Sequence, residues 1–117
     1  MRHIEAGYQT ALVAWYRRAY PEISDLLAGY LAGVNVGSRT GLRMKQMGLV
    51  RGWPDLHLSV PNKKHHGMYI EMKTQTGKLT KEQKDIHQQL SDQGYLVVTS
   101  YGWDIAKDEI VKYLNER

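Results

Sequence analysis

Asp55 in the run Gly52-Trp53-Pro54-Asp55, with Glu71 and Lys73 in Glu71-Met72-Lys73, are the side chains whose types and spacing could act together chemically. Two carboxylates can hold a hard divalent cation, and an adjacent ammonium can meet the anion that the cation attracts. The flanking sequence brings them into range. Asp55-Leu56-His57-Leu58-Ser59-Val60 and Met68-Tyr69-Ile70-Glu71-Met72-Lys73 both alternate with period two, which predicts two half-buried strands joined by a basic loop. Alternate residues of a strand share a face, so Asp55, His57 and Ser59 go together, as do Glu71 and Lys73. An antiparallel hairpin with its apolar residues on one buried side puts Asp55, Glu71 and Lys73 on the other, exposed face. Diagonal neighbours across such a pair have Cα atoms roughly 7–8 Å apart, a gap that two carboxylates can close around one cation.

Charge distribution points to the ligand. From Arg39 to Asp85 the chain has ten Lys or Arg and four Asp or Glu, a local charge of +6, against −2 for the remainder. A basic surround on a few clustered carboxylates suits a polyanion held beside a cation, although a solvated Lys-rich surface accounts for the asymmetry equally well. With 117 residues the chain is expected to be one domain over 1–117. There is no cysteine, which excludes disulfides and thiolate zinc sites. No apolar run approaches a membrane span and the N-terminus lacks a signal-peptide core, so a soluble, cytoplasmic protein is expected.

The elements that must position these residues follow in order. Ile4, Tyr8, Ala11, Leu12, Trp15 and Ala19 recur at helical spacing and predict a helix over 3–19. Glu5 and Gln9 sit one turn apart on its flank and could reach a shared site, while surface solvation is the simpler account of both. Residues 22–37 read as a helical turn followed by an irregular strand. Ser38 could cap a short helix from Arg39 to Met47, closed by Gly48 and decorated by Arg39, Arg43 and Lys45. Arg51 and Gly52 lead into the hairpin, where Gly52 permits a turn that a side chain could block. Thr80 and Gln83 form a T-x-x-Q capping box opening a helix over 81–93 that stops at Gly94. Gln83 falls on the same side as Ile86 and Leu90, so it could point inward, but its capping role alone explains its identity. Tyr95 to Tyr101 is an apolar strand, expected at the centre of the sheet and parallel to the second hairpin strand. A last helix over 104–115 buries Ala106, Ile110, Tyr113 and Leu114. The fold class is therefore α/β, a small mixed sheet flanked by helices.

These residues resemble a known pattern. Gly52-Trp53-Pro54-Asp55, Glu71-Met72-Lys73 and Gln83 look like the PD…ExK…Q signature of the restriction-endonuclease-like nuclease superfamily, and more nearly the virus-type replication and repair nuclease (VRR-NUC) domain. Its early Glu and Gln are met by Glu5 and Gln9, its Gly before PD by Gly52, and its Gly-x-Leu-x-x-x-Gln segment by Gly77 to Gln83. A lone PD or ExK is weak, whereas the ordered set spanning Glu5 to Leu114 is much more specific.

The resemblance implies a restriction-endonuclease-like core of a stand-alone phage or bacterial type and a magnesium- or manganese-dependent endodeoxyribonuclease. By analogy Asp55, Glu71 and the main-chain carbonyl of Met72 bind the metal, and Lys73 orients water and neutralises developing charge. Glu5 would bind a metal-bound water or second ion, and Gln83 and Gln9 would position Lys73 or the water. Arg39, Arg43, Lys45, Arg51, Lys63, Lys64 and Lys78 are the expected phosphate contacts, with Gln9 also at the DNA. Compact members of the family resemble Holliday-junction resolvases, which implies a homodimer acting on branched DNA. A site built on His57, His65 and His66 is a competing chemistry, unsupported by any Cys or HExxH pattern. The alternative from another class is a non-catalytic nucleic-acid-binding module on the nuclease fold.

Overall fold

The structure is a computed structural model that describes residues 2–30 and 38–117. Helix α1 (Arg2–Ala19) runs into a 3-10 helix over Pro21–Leu26 and a short strand β1 (Leu27–Gly29). Helix α2 (Ser38–Gln46) precedes the hairpin of β2 (Leu56–Leu58) and β3 (Met68–Met72). Helix α3 (Lys81–Asp92), strand β4 (Leu96–Ser100) and helix α4 (Trp103–Asn115) complete the chain. The sheet order is β1-β2-β3-β4, antiparallel except for the parallel pairing of β3 with β4 across the α3 crossover. The α/β class, mixed sheet and hairpin are as the sequence predicts. The expected strand in 22–37 is β1 as far as Gly29, and the rest of that expectation falls on 31–37, outside the described residues.

Two expectations about the sheet are corrected. The apolar run at 95–101 is not central: among the described residues β4 is an edge strand, and β3 lies between β2 and β4. Nor is β3 half-buried, because all five of its residues are buried. The cause is a covering on both faces. On one, Leu56, Leu58, Met68, Ile70 and Met72 join Leu12 and Tyr16 of α1 and Ala106, Ile110, Tyr113 and Leu114 of α4 in a single core. On the other, His57, Tyr69, Trp53 and Tyr95 pack ring against ring, and α3 closes over Glu71. Alternation along β3 distinguishes two faces, and it cannot say that a helix covers the polar one.

Helix α1 packs the middle of the predicted stripe, with Leu12 in the core and Tyr8 and Trp15 against it, while the two ends are exposed. Leu12 and Tyr16 are fully buried, whereas Ile4 is 57 % exposed and Ala19 is also exposed. The inward line therefore runs through 5, 9, 12 and 16 at spacings of four, three and four, so that Glu5 and Gln9 are its polar N-terminal continuation. The Tyr16 hydroxyl donates to Ile23 O at 2.7 Å and that of Tyr113 to Val60 O at 2.6 Å, so both buried phenols are satisfied. The four residues expected to be buried on α4 are the four that are. Helix α2 ends near Gly48, at φ +106°, as expected, while the side chain of Ser38, its expected cap, lies outside the described residues.

Candidate active site

Asp55, Glu71 and Lys73 meet where β2 begins and β3 ends. Pro54, fully buried, leads Asp55 into the sheet. Asp55 Oδ2 accepts a 2.7 Å hydrogen bond from the Met72 N–H, so a side chain takes the place of a ladder carbonyl at the end of the hairpin pairing. This locks Asp55 beside Glu71, and the two carboxyl groups come within hydrogen-bonding reach of each other. The Lys73 N–H donates to Ser100 O at 2.9 Å, which anchors the lysine backbone on β4.

Burial governs the electrostatics. Glu71 is 3 % exposed and Lys73 9 % exposed, not on the open face that the hairpin alone implies. Desolvation, then the charge and hydrogen bond of Glu71, push Asp55 up to about 7, against the weaker lowering effects of the Met72 N–H and Lys73. Desolvation likewise pushes Glu71 up to about 7, with Glu5 adding to the rise and Asp55 and Lys73 opposing it. Both carboxyls are thus raised by their surroundings, and they titrate as a coupled pair.

Helix α3 completes the site. Its capping box is present in both directions: Gln83 N–H donates to Thr80 Oγ1 at 3.1 Å and Thr80 N–H to Gln83 Oε1 at 2.9 Å. Gln83 Nε2 also donates to Glu71 Oε2 at 3.4 Å. Capping and pointing inward are thus not alternatives, since the two ends of one amide serve both. His87, one turn further on, places Nε2 3.2 Å from Glu71 Oε1. It was not among the residues expected at the site, yet its spacing from Gln83 puts it on the same stripe as Ile86 and Leu90. Gly52 lets the helix come this close: at φ +88°, a Cβ there would lie 2.6 Å from the Glu82 carbonyl group and 2.8 Å from Gln83 N.

The remaining expected residues divide by position. Glu5 is close enough for its charge to act on Glu71 but makes no direct hydrogen bond to it among the described residues. Gln9 Nε2 lies 3.2 Å from the Cβ position of Gly29, whose neighbour Tyr30 donates its N–H to Asp55 O at 3.1 Å. Arg43, Lys45, Arg51 and Lys78 are exposed, and the Arg39 side chain lies outside the described residues. Lys63 and Lys64 are not beside the carboxylates. Their loop joins the far ends of β2 and β3, tied to the end of α4 by Lys63 N to Glu116 O at 2.9 Å and by a Lys64–Glu116 ion pair at 3.5 Å. His57 stacks on Tyr69 with centroids 4.2 Å apart, and burial lowers its pKa, as befits a packed neutral ring. His66 packs over the Gly94 turn and His65 beside Tyr113.

Among the described residues, no three His, Asp or Glu side chains form a ready-made metal cage. The donors here are the two adjacent carboxylates of Asp55 and Glu71. That set suits an ion such as magnesium, which takes one or two carboxylates and keeps several waters, and the mutual repulsion of a buried carboxylate pair is what a divalent cation relieves.

Comparison with known proteins agrees with this fold. A search of curated proteins finds no match. A solved structure described as a VRR_NUC domain protein superposes with a TM-score of 0.83 at 26 % identity, covering 97 % of this chain and 89 % of its own. The VRR-NUC domain family model matches residues 5–103, which include Glu5, Asp55, Glu71, Lys73 and Gln83. This chain belongs to the VRR-NUC domain family, a family of nuclease type.

Proposed function

We propose that the protein is a divalent-metal-dependent endodeoxyribonuclease that hydrolyses phosphodiester bonds in branched, Holliday-junction-like DNA. The observation that carries the reading is the Asp55–Glu71 pair, Glu71 buried and Asp55 partly so, held at the Lys73 end of β3. A non-catalytic scaffold would bear the desolvation of both carboxylates without return, whereas a site that takes up a cation converts it into affinity. Asp55, Glu71 and the Met72 carbonyl would hold magnesium or manganese, with Glu5 acting through water. When bound, the ion supplies Lewis-acid charge at the phosphate and lowers the pKa of the attacking water.

The protein's own groups do the positioning. The Met72 N–H holds Asp55, and Gln83 holds Glu71, so neither carboxylate needs to reorganise. Lys73 donates to a phosphate oxygen and offsets the negative charge that develops there, and its burial strengthens that interaction. Arg43, Lys45, Arg51 and Lys78 contact flanking phosphates from the exposed surface. One chain carries one such pair, so opposed cuts at a junction need two copies related by a two-fold axis, and a homodimer supplies them.

The test uses a labelled four-way junction and a linear duplex with magnesium, manganese or chelator, beside Asp55→Ala and Lys73→Ala. We expect metal-dependent cutting of the junction by the parent and none by either variant, with DNA binding retained. Metal-independent binding by all three proteins with no cutting by the parent would overturn the reading in favour of a binding module. A sedimentation measurement giving monomer alone at micromolar concentration would remove the paired-cut arrangement.

A further inference from the structure

Glu71 is held at both oxygens by one helix. Gln83 Nε2 meets Oε2 at 3.4 Å and His87 Nε2 meets Oε1 at 3.2 Å, from positions one turn apart on α3. Gln83 is itself fixed by the Thr80 capping box, and the His87 side chain is only 12 % exposed. Wherever Glu71 is ionised it can only accept, and the contact at Oε1 is then made by a His87 ring that presents Nε2–H.

We propose that His87 is a positioning residue for Glu71: its Nε2–H on Oε1 and the Gln83 amide on Oε2 fix the carboxylate plane, so that α3 sets the geometry at which a divalent cation is held. A carboxylate gripped at one oxygen can still swing about its last torsion, and a second donor one helical turn away removes that freedom. Outer partners of metal-binding groups commonly govern affinity about 10- to 100-fold. Gly52 belongs to the same device, since its missing Cβ lets the first turn of α3 abut the entry to Asp55. The metal part rests on the proposed function, and the contact with Glu71 does not.

The experiment compares His87→Gln, whose amide nitrogen can reach the place of Nε2, with His87→Asn, which is one methylene shorter, and reads two quantities. The first is Mn2+ affinity, from the free-ion electron paramagnetic resonance signal. We expect His87→Gln within about threefold of the parent and His87→Asn weakened about tenfold or more, with equal melting temperatures in chelator for the two variants. Equal affinities in all three proteins, or equal losses in both variants, would overturn the proposal, the second outcome because it reports lost packing. The second quantity is the His87 ring N–H resonance of the metal-free parent, expected to be slowly exchanging and to be lost in Glu71→Ala. Its absence from the parent overturns the contact whatever the metal result. A parent that shows this resonance but binds no Mn2+ overturns the metal-dependent function and, with it, the cation-setting role of His87.

Discussion

The Asp55–Glu71 pair should make the stability of the protein in chelator depend on pH in a definite direction. Asp55 rises from 3.8 and Glu71 from 4.5, each to about 7, so the folded protein keeps a proton that the unfolded chain has already released. A group whose pKa is raised on folding lowers stability as pH climbs from its unfolded to its folded value. The window here is about pH 4 to 7. Holding one shared proton over the two units from pH 5 to 7 corresponds to about 3 kcal/mol, at about 1.4 kcal/mol per unit. In chelator, urea unfolding of the parent should therefore lose about 3 kcal/mol between pH 5 and 8 relative to Asp55→Asn, which cannot ionise. The difference between the two proteins isolates the Asp55 proton, since Glu71 titrates in both. Excess magnesium should restore the parent at pH 8, do little at pH 5 where the proton competes, and leave the variant almost unchanged. Parallel pH profiles for parent and variant in chelator would refute the reasoning, because Asp55 would then not be raised by its surroundings.

Three further outcomes follow from the packing. Gly52→Ala places a Cβ against the backbone of Glu82 at a left-handed position, and should cost about 1–3 kcal/mol in thermal unfolding and lower Mn2+ affinity by displacing α3. Thr80→Ala removes one half of the capping box and should cost about 1 kcal/mol by urea unfolding, leaving the Gln83 amide less well held. In salt-dependent DNA binding, Arg51→Ala and Lys78→Ala should each reduce the slope by about one ion, whereas Lys63→Ala and Lys64→Ala should change it less, since their loop lies at the far end of the β2–β3 pair.

Much of the architecture was legible because it rests on local chemistry. Period-two alternation marked β2 and β3, the T-x-x-Q box opened α3, and Gly48, Gly52 and Gly94 fall at positive φ where turns require it. The apolar spacing of α4 named its four buried residues correctly. Asp55, Glu71 and Lys73 were also legible as a group, since the pairing of the two strands follows from which residues must face the core.

Tertiary packing decided the rest. Whether β3 or β4 lies at the centre depends on which strand finds partners on both edges, and both are apolar enough for either place. The polar face of β3 is polar in sequence but dry in space, because α3 and the rings around Tyr69 cover it, and this burial raises the carboxylates toward neutrality. The loop carrying Lys63 and Lys64 is close in sequence to the hairpin yet at the wrong end of it, as strand length separates its tip from the site. His87 needed the helix to be docked before its spacing from Gln83 could mean anything. By itself the sequence determined which groups could do the chemistry, because periodicity and caps are properties of neighbouring residues. Only the fold decided the medium around them, because desolvation is set by residues remote in the chain.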